Sequence, residues 1–166
     1  MAQAQRLSPE EHYARRGKML AGAGLIIRDS RDRVLLVHTT YGDQLWELPG
    51  GGLEPGELPP DGAVREVREE VGVQTTAGNL LVADLVPCTL PDGQPALLTN
   101  WLFDGGVIDP AQIRPDYVEI DEARFCDREK RHQLLPEHMA RRVDQCLEAL
   151  RTGRALYLHQ GHLPTA

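Results

Sequence analysis

The chain has 166 residues, 41% of them hydrophobic and 26% charged; this is the balance of one globular domain, large enough to bury a core without metal or disulfide staples, and it excludes a disordered segment. A formal net charge of -7 argues against a nucleic-acid partner, because phosphate backbones attract a basic face. It leaves room for a small phosphorylated ligand whose charge is met by cations.

In chain order, the first stretch, MAQAQRLSPEEHYARRGKML, lacks the apolar core of a secretory signal. The apolar runs elsewhere are too short to span a bilayer. Cys88, Cys126 and Cys146 are far apart and form no CxxC pair, the pattern of reduced thiols, so a cytoplasmic protein with no membrane partner is expected. Ser8 as cap, Pro9 in the first turn and Glu11 closing a capping box start a short helix over about residues 8–16. Leu20–Arg28 and Arg33–Tyr41 are apolar runs separated by DSRD, a strand–turn–strand pattern. GAG at Gly22–Gly24 lacks both the GxGxxG spacing and a following helix, and is not read as a dinucleotide loop. His38 on the second strand is read as structural, and Trp46 as core packing.

The most unusual stretch is GGGLEPGELPPDGAVREVREEVGV, Gly50 to Val73, where Glu54, Glu57, Asp61, Glu66, Glu69 and Glu70 are offset only by Arg65 and Arg68. Asp61–Val71 reads as a helix, entered through Pro59–Pro60 and closed by Gly72. At helical spacing Val64, Val67 and Val71 form one stripe, with Glu66, Glu69 and Glu70 opposite. The expectation is that the valines pin the helix to a sheet while the carboxylates face outward together. Like charges so spaced cost about 0.2–0.5 kcal/mol per pair, and Arg65 and Arg68, on the flanks, do not relieve that. A solvated acidic face is one account. A site for hard divalent cations is the other, favoured by glycines that let carbonyls approach a cation and by Glu57, which can reach back from the loop.

Beyond this, Asn79–Leu90 reads as a strand pair or one long bent strand, PDGQ as a turn, and Ala96–Asp104 as a strand that sends Trp101 and Phe103 into the core. Val107–Asp116 is an acid-and-proline loop, and Tyr117–Asp127 alternates and ends the sheet. Leu135–Gly153 gives a helix over about 136–152, with Met139, Val143, Cys146, Leu147 and Leu150 on one face. Strands without strict βαβ alternation imply an α+β sandwich around a mixed sheet. One domain is expected over residues 1–166, with its core over about 18–130.

The Gly50–Val73 stretch resembles the Nudix box, GX5EX7REUXEEXGU with U aliphatic, at every defined position: Gly51, Glu57, Arg65, Glu66, Val67, Glu69, Glu70, Gly72 and Val73. The preceding LWELPGG, Leu45–Gly51, is also typical of this family. The resemblance in element order runs from about Leu20 to Asp127. It implies an α/β/α sandwich around a mixed, mostly antiparallel sheet, and hydrolysis of the pyrophosphate in nucleoside diphosphate derivatives by attack of water on phosphorus. It also implies that Glu66 and Glu70 are the principal metal ligands, with Glu69 supplementary and the Gly50 carbonyl completing the shell. Arg65 would pair with Glu57 and hold the loop to the helix. The metal implied is Mg²⁺, with Mn²⁺ as substitute. Glu119 is the first candidate for general base; Glu122, Asp116 and a box glutamate are the alternatives.

For substrate, the SQPWPFPxS string linked to NADH cleavage is absent, as is the coenzyme A signature. Pro87, shortly past the box, leans toward ADP-ribose or another nucleotide sugar. A housecleaning nucleoside triphosphate pyrophosphohydrolase and a non-catalytic nucleotide sensor are the rival readings. The partner expected is thus a small nucleotide, and a homodimer is admitted.

Overall fold

Alternate side chains of Lys18–Arg28 (β1) enter different hydrophobic clusters on opposite sides of one sheet, and that period of two organises the molecule. Ala23, Leu25 and Ile27 pack with Ala63, Val67 and Val71 of a helix over Pro59–Val71 (α2). Ile26 instead joins Cys146 and Ala149 of a helix over Glu137–Thr152 (α4). Val34–Thr39 (β2) does the same: Leu35 and Val37 go to the α2 side, Val34 and Leu36 to the α4 side. The result is an α+β sandwich with one helix on each face of the sheet, as the sequence implies.

This computed structural model describes residues 8–43 and 45–164; the reading of residues 1–7 as free of a leader lies outside them. The other elements are Pro9–Ala14 (α1), Trp46–Glu47 (β3), Gly50–Gly52 (β4), Leu80–Thr89 (β5), Pro95–Val107 (β6), Ile120–Cys126 (β7), Arg128–Leu134 (α3), Leu156–His159 (β8) and a 3-10 turn at Pro110–Gln112. The sheet runs β3-β2-β1-β6-β5-β8, with β4 also on β1 and β7 also on β2. Among the described residues, β1–β6 and β5–β8 are parallel and the other strand pairs antiparallel. Among the described residues, no helix is long and apolar enough to cross a membrane.

Several expectations change. The Ser8–Glu11 capping box forms, but the helix stops at Ala14. Of the two readings of Asn79–Leu90, the single long strand is the one that forms, as Leu80–Thr89. α2 begins at Pro59, because a proline's missing N–H is harmless in a first turn. α3 and β8 have no counterpart in the sequence reading. β8 pairs with β5, and the turn after it is tied to a buried ion pair: fully buried Asp84 accepts Arg142 Nε at 2.6 Å and the Gly161 N–H at 3.1 Å. Val67 and Val71 are both fully buried, each worth on the order of 1.5–3 kcal/mol in holding α2 to the sheet. Cys126 and Cys146 are buried free thiols, and Cys88 is half-buried. Trp101 and Phe103 lie against the core as expected.

Candidate active site

β4 docks the start of the box against β1, pairing Gly50–Gly52 with Gly22–Gly24. Gly50 has φ 149°, and a Cβ there would stand 2.3 Å from the Ala23 carbonyl oxygen. A Cβ on Gly51 would fall 2.6 Å from the Glu66 carboxylate. Gly50 admits no side chain because it meets backbone, whereas one at Gly51 would displace the Glu66 carboxylate; α2 lies that close to the strand.

The three helix carboxylates do not face outward together. Glu70 is only 3% exposed, because it follows Val67 by three residues and Ala63 by seven and so falls on the buried stripe. The Glu69 side chain is 51% exposed and that of Glu66 14%. Glu70 Oε2 accepts the Gly50 N–H at 2.9 Å. Burial, joined by repulsion from Glu66, Glu47 and Glu119, nevertheless pushes its carboxyl up from 4.5 to about 8. Burial likewise raises Glu66, against the pull of Arg65, and raises Glu47. Glu47, missed in the sequence reading although it lies within the quoted LWELPGG, is thus part of the acidic group.

Nor does Arg65 leave the repulsion unrelieved. It spans Glu57 at 2.8 and 3.0 Å, Glu66 at 2.9 Å, Glu69 at 3.1 Å and the Gly52 carbonyl at 3.1 Å. The Arg65 bonds, with the Glu54 N–H, hold the Glu57 carboxyl down at about 2. The pairing of Arg65 with Glu57 is as the resemblance implies; its reach to Glu66 and Glu69 was not foreseen.

The loop after the 3-10 turn closes the other side. Arg114 and Asp116 donate their N–H groups to the Val71 and Glu70 carbonyls at 2.8 and 3.0 Å, satisfying the end of α2. The Asp116 carboxylate accepts the N–H groups of Val118, Glu119 and Ile120 at 3.1, 3.1 and 2.9 Å. Burial alone would raise Asp116, but these bonds keep it below the usual range. Thr40 holds the same loop through the Val118 and Glu119 carbonyls. Exposed Glu119 then stands near enough to press on Glu66 and Glu70. Glu122 instead lies on β7 opposite His38 and pairs with Arg124. Of the downstream candidates, only Glu119 joins the acidic group with its carboxylate unbound by the loop.

Other residues take structural partners. His38 bonds Asp121 at 2.7 Å, and half-buried Trp46 carries the Arg124 guanidinium 5.2 Å above its ring. Tyr41 is an addition: its phenol is raised by burial and by Glu47, Glu70, Glu119 and Glu66, so it borders the site. Pro87 is exposed on β5 opposite Leu97, past the Val82–Leu85 segment that β8 covers. A proline suits that uncovered edge, and the position does not line the site.

Among the described residues, no three Asp, Glu, His or Cys side chains stand in ligand geometry around one point. The donor chemistry still fits a hard cation: Glu47, Glu66, Glu70 and Glu119 supply only oxygen, and their mutual repulsion is the cost a divalent ion would remove. Beside them lies a cavity of about 750 Å³, floored by Gly22, Gly24 and Gly50–Gly52.

The NUDIX domain family model matches residues 18–146. Diphosphoinositol polyphosphate phosphohydrolase 2 of Mus musculus is 49% identical over 71 residues, 42% of this chain and 39% of that protein. The human 3-alpha form is 46% identical over 70 residues, 42% and 43% of the two chains. The match thus spans about two fifths of these curated relatives. Among solved structures, the MutT protein from Methanosarcina mazei Go1 superposes with TM-score 0.64 at 24% identity, covering 82% of this chain and 96% of that one. A C. elegans Ap4A hydrolase does so at 0.62 and 21%, covering 81% and 98%. At those identities the likeness shows a common fold, while the family match covers most of the chain. The chain belongs to the Nudix hydrolase family.

Proposed function

We propose that this enzyme hydrolyses the pyrophosphate linkage of a nucleoside diphosphate derivative by attack of water on phosphorus. The observation that carries the reading is the grouping of Glu47, Glu66 and Glu119 close enough to repel the buried Glu70 carboxyl, beside a cavity large enough for a nucleotide-sized ligand. Glu66 and Glu70 would hold a divalent cation, Mg²⁺ with Mn²⁺ as substitute, with Glu69 and the Gly50 carbonyl in support. Such a cation, when bound, neutralises phosphate oxygens and lowers the pKa of its water.

The chain's own groups do the rest. The Gly50 N–H orients the Glu70 carboxylate. Arg65 ties the Glu57 loop to α2. Glu119, held out by the Asp116 turn, accepts the proton of the attacking water. The product is a pair of phosphate monoesters.

A second reading is cleavage of a diphosphoinositol polyphosphate, favoured by the 49% identity across 71 residues with a protein of that name. A panel of ADP-ribose, nucleotide sugars, dinucleoside polyphosphates, nucleoside triphosphates and an inositol pyrophosphate, incubated with Mg²⁺, separates the readings by phosphate release. The coupled phosphatase must be one that spares the substrates. Turnover of a diphosphate derivative ahead of the others supports the first reading, and preference for the inositol compound sinks it.

A further inference from the structure

The cavity beside the box is built along a strip that carries no side chains. Gly22 and Gly24 line it from β1, in a strand interior where glycine weakens packing. At Gly24 the reason is close contact, since a Cβ would stand 2.7 Å from the Pro49 carbonyl oxygen. At Gly22 a Cβ would stand 3.2 Å from the Gly51 carbonyl oxygen and 3.6 Å from Oδ1 of Asn100. A longer side chain at Gly22 would therefore grow into the space beside that amide.

Asn100 is the register partner of Gly22 on β6. Its half-buried carboxamide stands between Leu98 and Leu102, facing the side of the sheet where Met139 closes the cavity. Among the described residues no protein group bonds it. The amide is open to the cavity rather than sealed in the core, and it offers a ligand a donor and an acceptor side by side.

Charge narrows the ligand. Among the described residues lining the cavity, Arg142 is the only Lys or Arg; it is buried, with its Nε on Asp84 at 2.6 Å. Glu47, Glu54 and Glu57 lie on the same lining. A polyanionic head would meet net negative charge there, whereas a flat, uncharged ring would meet glycine, leucine and one amide.

We propose that Asn100 is a specificity-determining residue that reads the hydrogen-bonding edge of a heterocyclic base lying over the Gly22 strip. This deepens the nucleotide reading and rests on it for the attached phosphate, yet base binding is measured without turnover. Calorimetric titration of the full chain with Mg²⁺ compares the four common nucleoside 5′-monophosphates with ribose 5-phosphate and inositol hexakisphosphate. At least one base should improve affinity about tenfold over ribose 5-phosphate. Asn100→Leu, of similar volume, should erase about two- to tenfold of that gain, the range of one hydrogen bond, and leave ribose 5-phosphate unchanged. Asn100→Asp, which exchanges the donor for an acceptor, should change which base is preferred.

A base preference that survives both substitutions, or inositol hexakisphosphate binding above every nucleotide, overturns the assignment. Hydrolysis of nucleotides without any base preference overturns it too, and spares the proposed function. Base preference without hydrolysis of any substrate in the panel does the reverse.

Discussion

Arg65 is the cation shared by the box carboxylates, and its five contacts run from the Glu57 loop to the exposed Glu69. Arg65→Ala should lower the melting temperature by several degrees and the activity by roughly 10–100-fold, the usual loss when a group that orients ligands is removed. A wild-type melt with collapsed activity, measured by calorimetry beside the phosphate assay, would mean that Arg65 touches substrate instead. Glu70 makes a second prediction at this scale. Its folded pKa is raised from 4.5 to about 8, so between those values the unfolded chain gives up a proton that the native protein keeps. Native stability without metal must therefore fall as pH rises through that window, by up to about 1.4 kcal/mol per unit, and level off above it. Glu70→Gln preserves an acceptor for the Gly50 N–H and removes the titration. Its melting temperature in EDTA should match wild type near pH 4 and exceed it increasingly toward pH 8. A difference that does not vary with pH would contradict the burial argument.

The loop over residues 114–120 is the element that brings Glu119 to α2, and it is held by backbone bonds to the helix end and by the Asp116 carboxylate. Asp116→Ala removes the acceptor for three N–H groups. Hydrogen exchange at Val118, Glu119 and Ile120 should speed up and kcat should drop, while exchange in α2 stays slow; unchanged exchange in the loop would deny Asp116 its role. Elements of this kind were unevenly legible. β1 and β2 show in the apolar runs because they are buried on both faces of the sheet, and β6 and β7 by shorter apolar patterns beside turns. α4 shows by its stripe, of which Val143 and Cys146 are fully buried. Glu70 was misplaced because a charged side chain normally marks the exposed face, and nothing local announces the Gly50 N–H that receives it. β3, β4 and β8 are too short to carry a period, and β8 depends on Asp84, more than seventy residues away. The identity of the box residues was readable letter by letter, whereas Glu47 and Asn100 reach the site or its cavity only through strand pairing, and Tyr41 through the bend after β2.

At the scale of the molecule, a net charge of -7 meets a sandwich whose box end gathers several carboxylates around Arg65. That arrangement makes the fold itself a reporter of cation binding. With Mg²⁺ at 100 times its dissociation constant, linkage adds about 2.7 kcal/mol, or about 5–11 °C in melting temperature for a chain of this size. Equal melts in excess EDTA and in millimolar Mg²⁺ would count against a site formed in the free protein. The central claim is that Glu66 and Glu70 act by position and not by adding to a general negative field. The most direct test is kcat with saturating Mg²⁺ for Glu66→Gln, Glu70→Gln and Asp61→Asn, each of which removes one negative charge from the same helix. The first two should lose about 10²–10⁴-fold, and Asp61→Asn, exposed in the first turn, should stay within about twofold. Equal losses in all three would contradict the account.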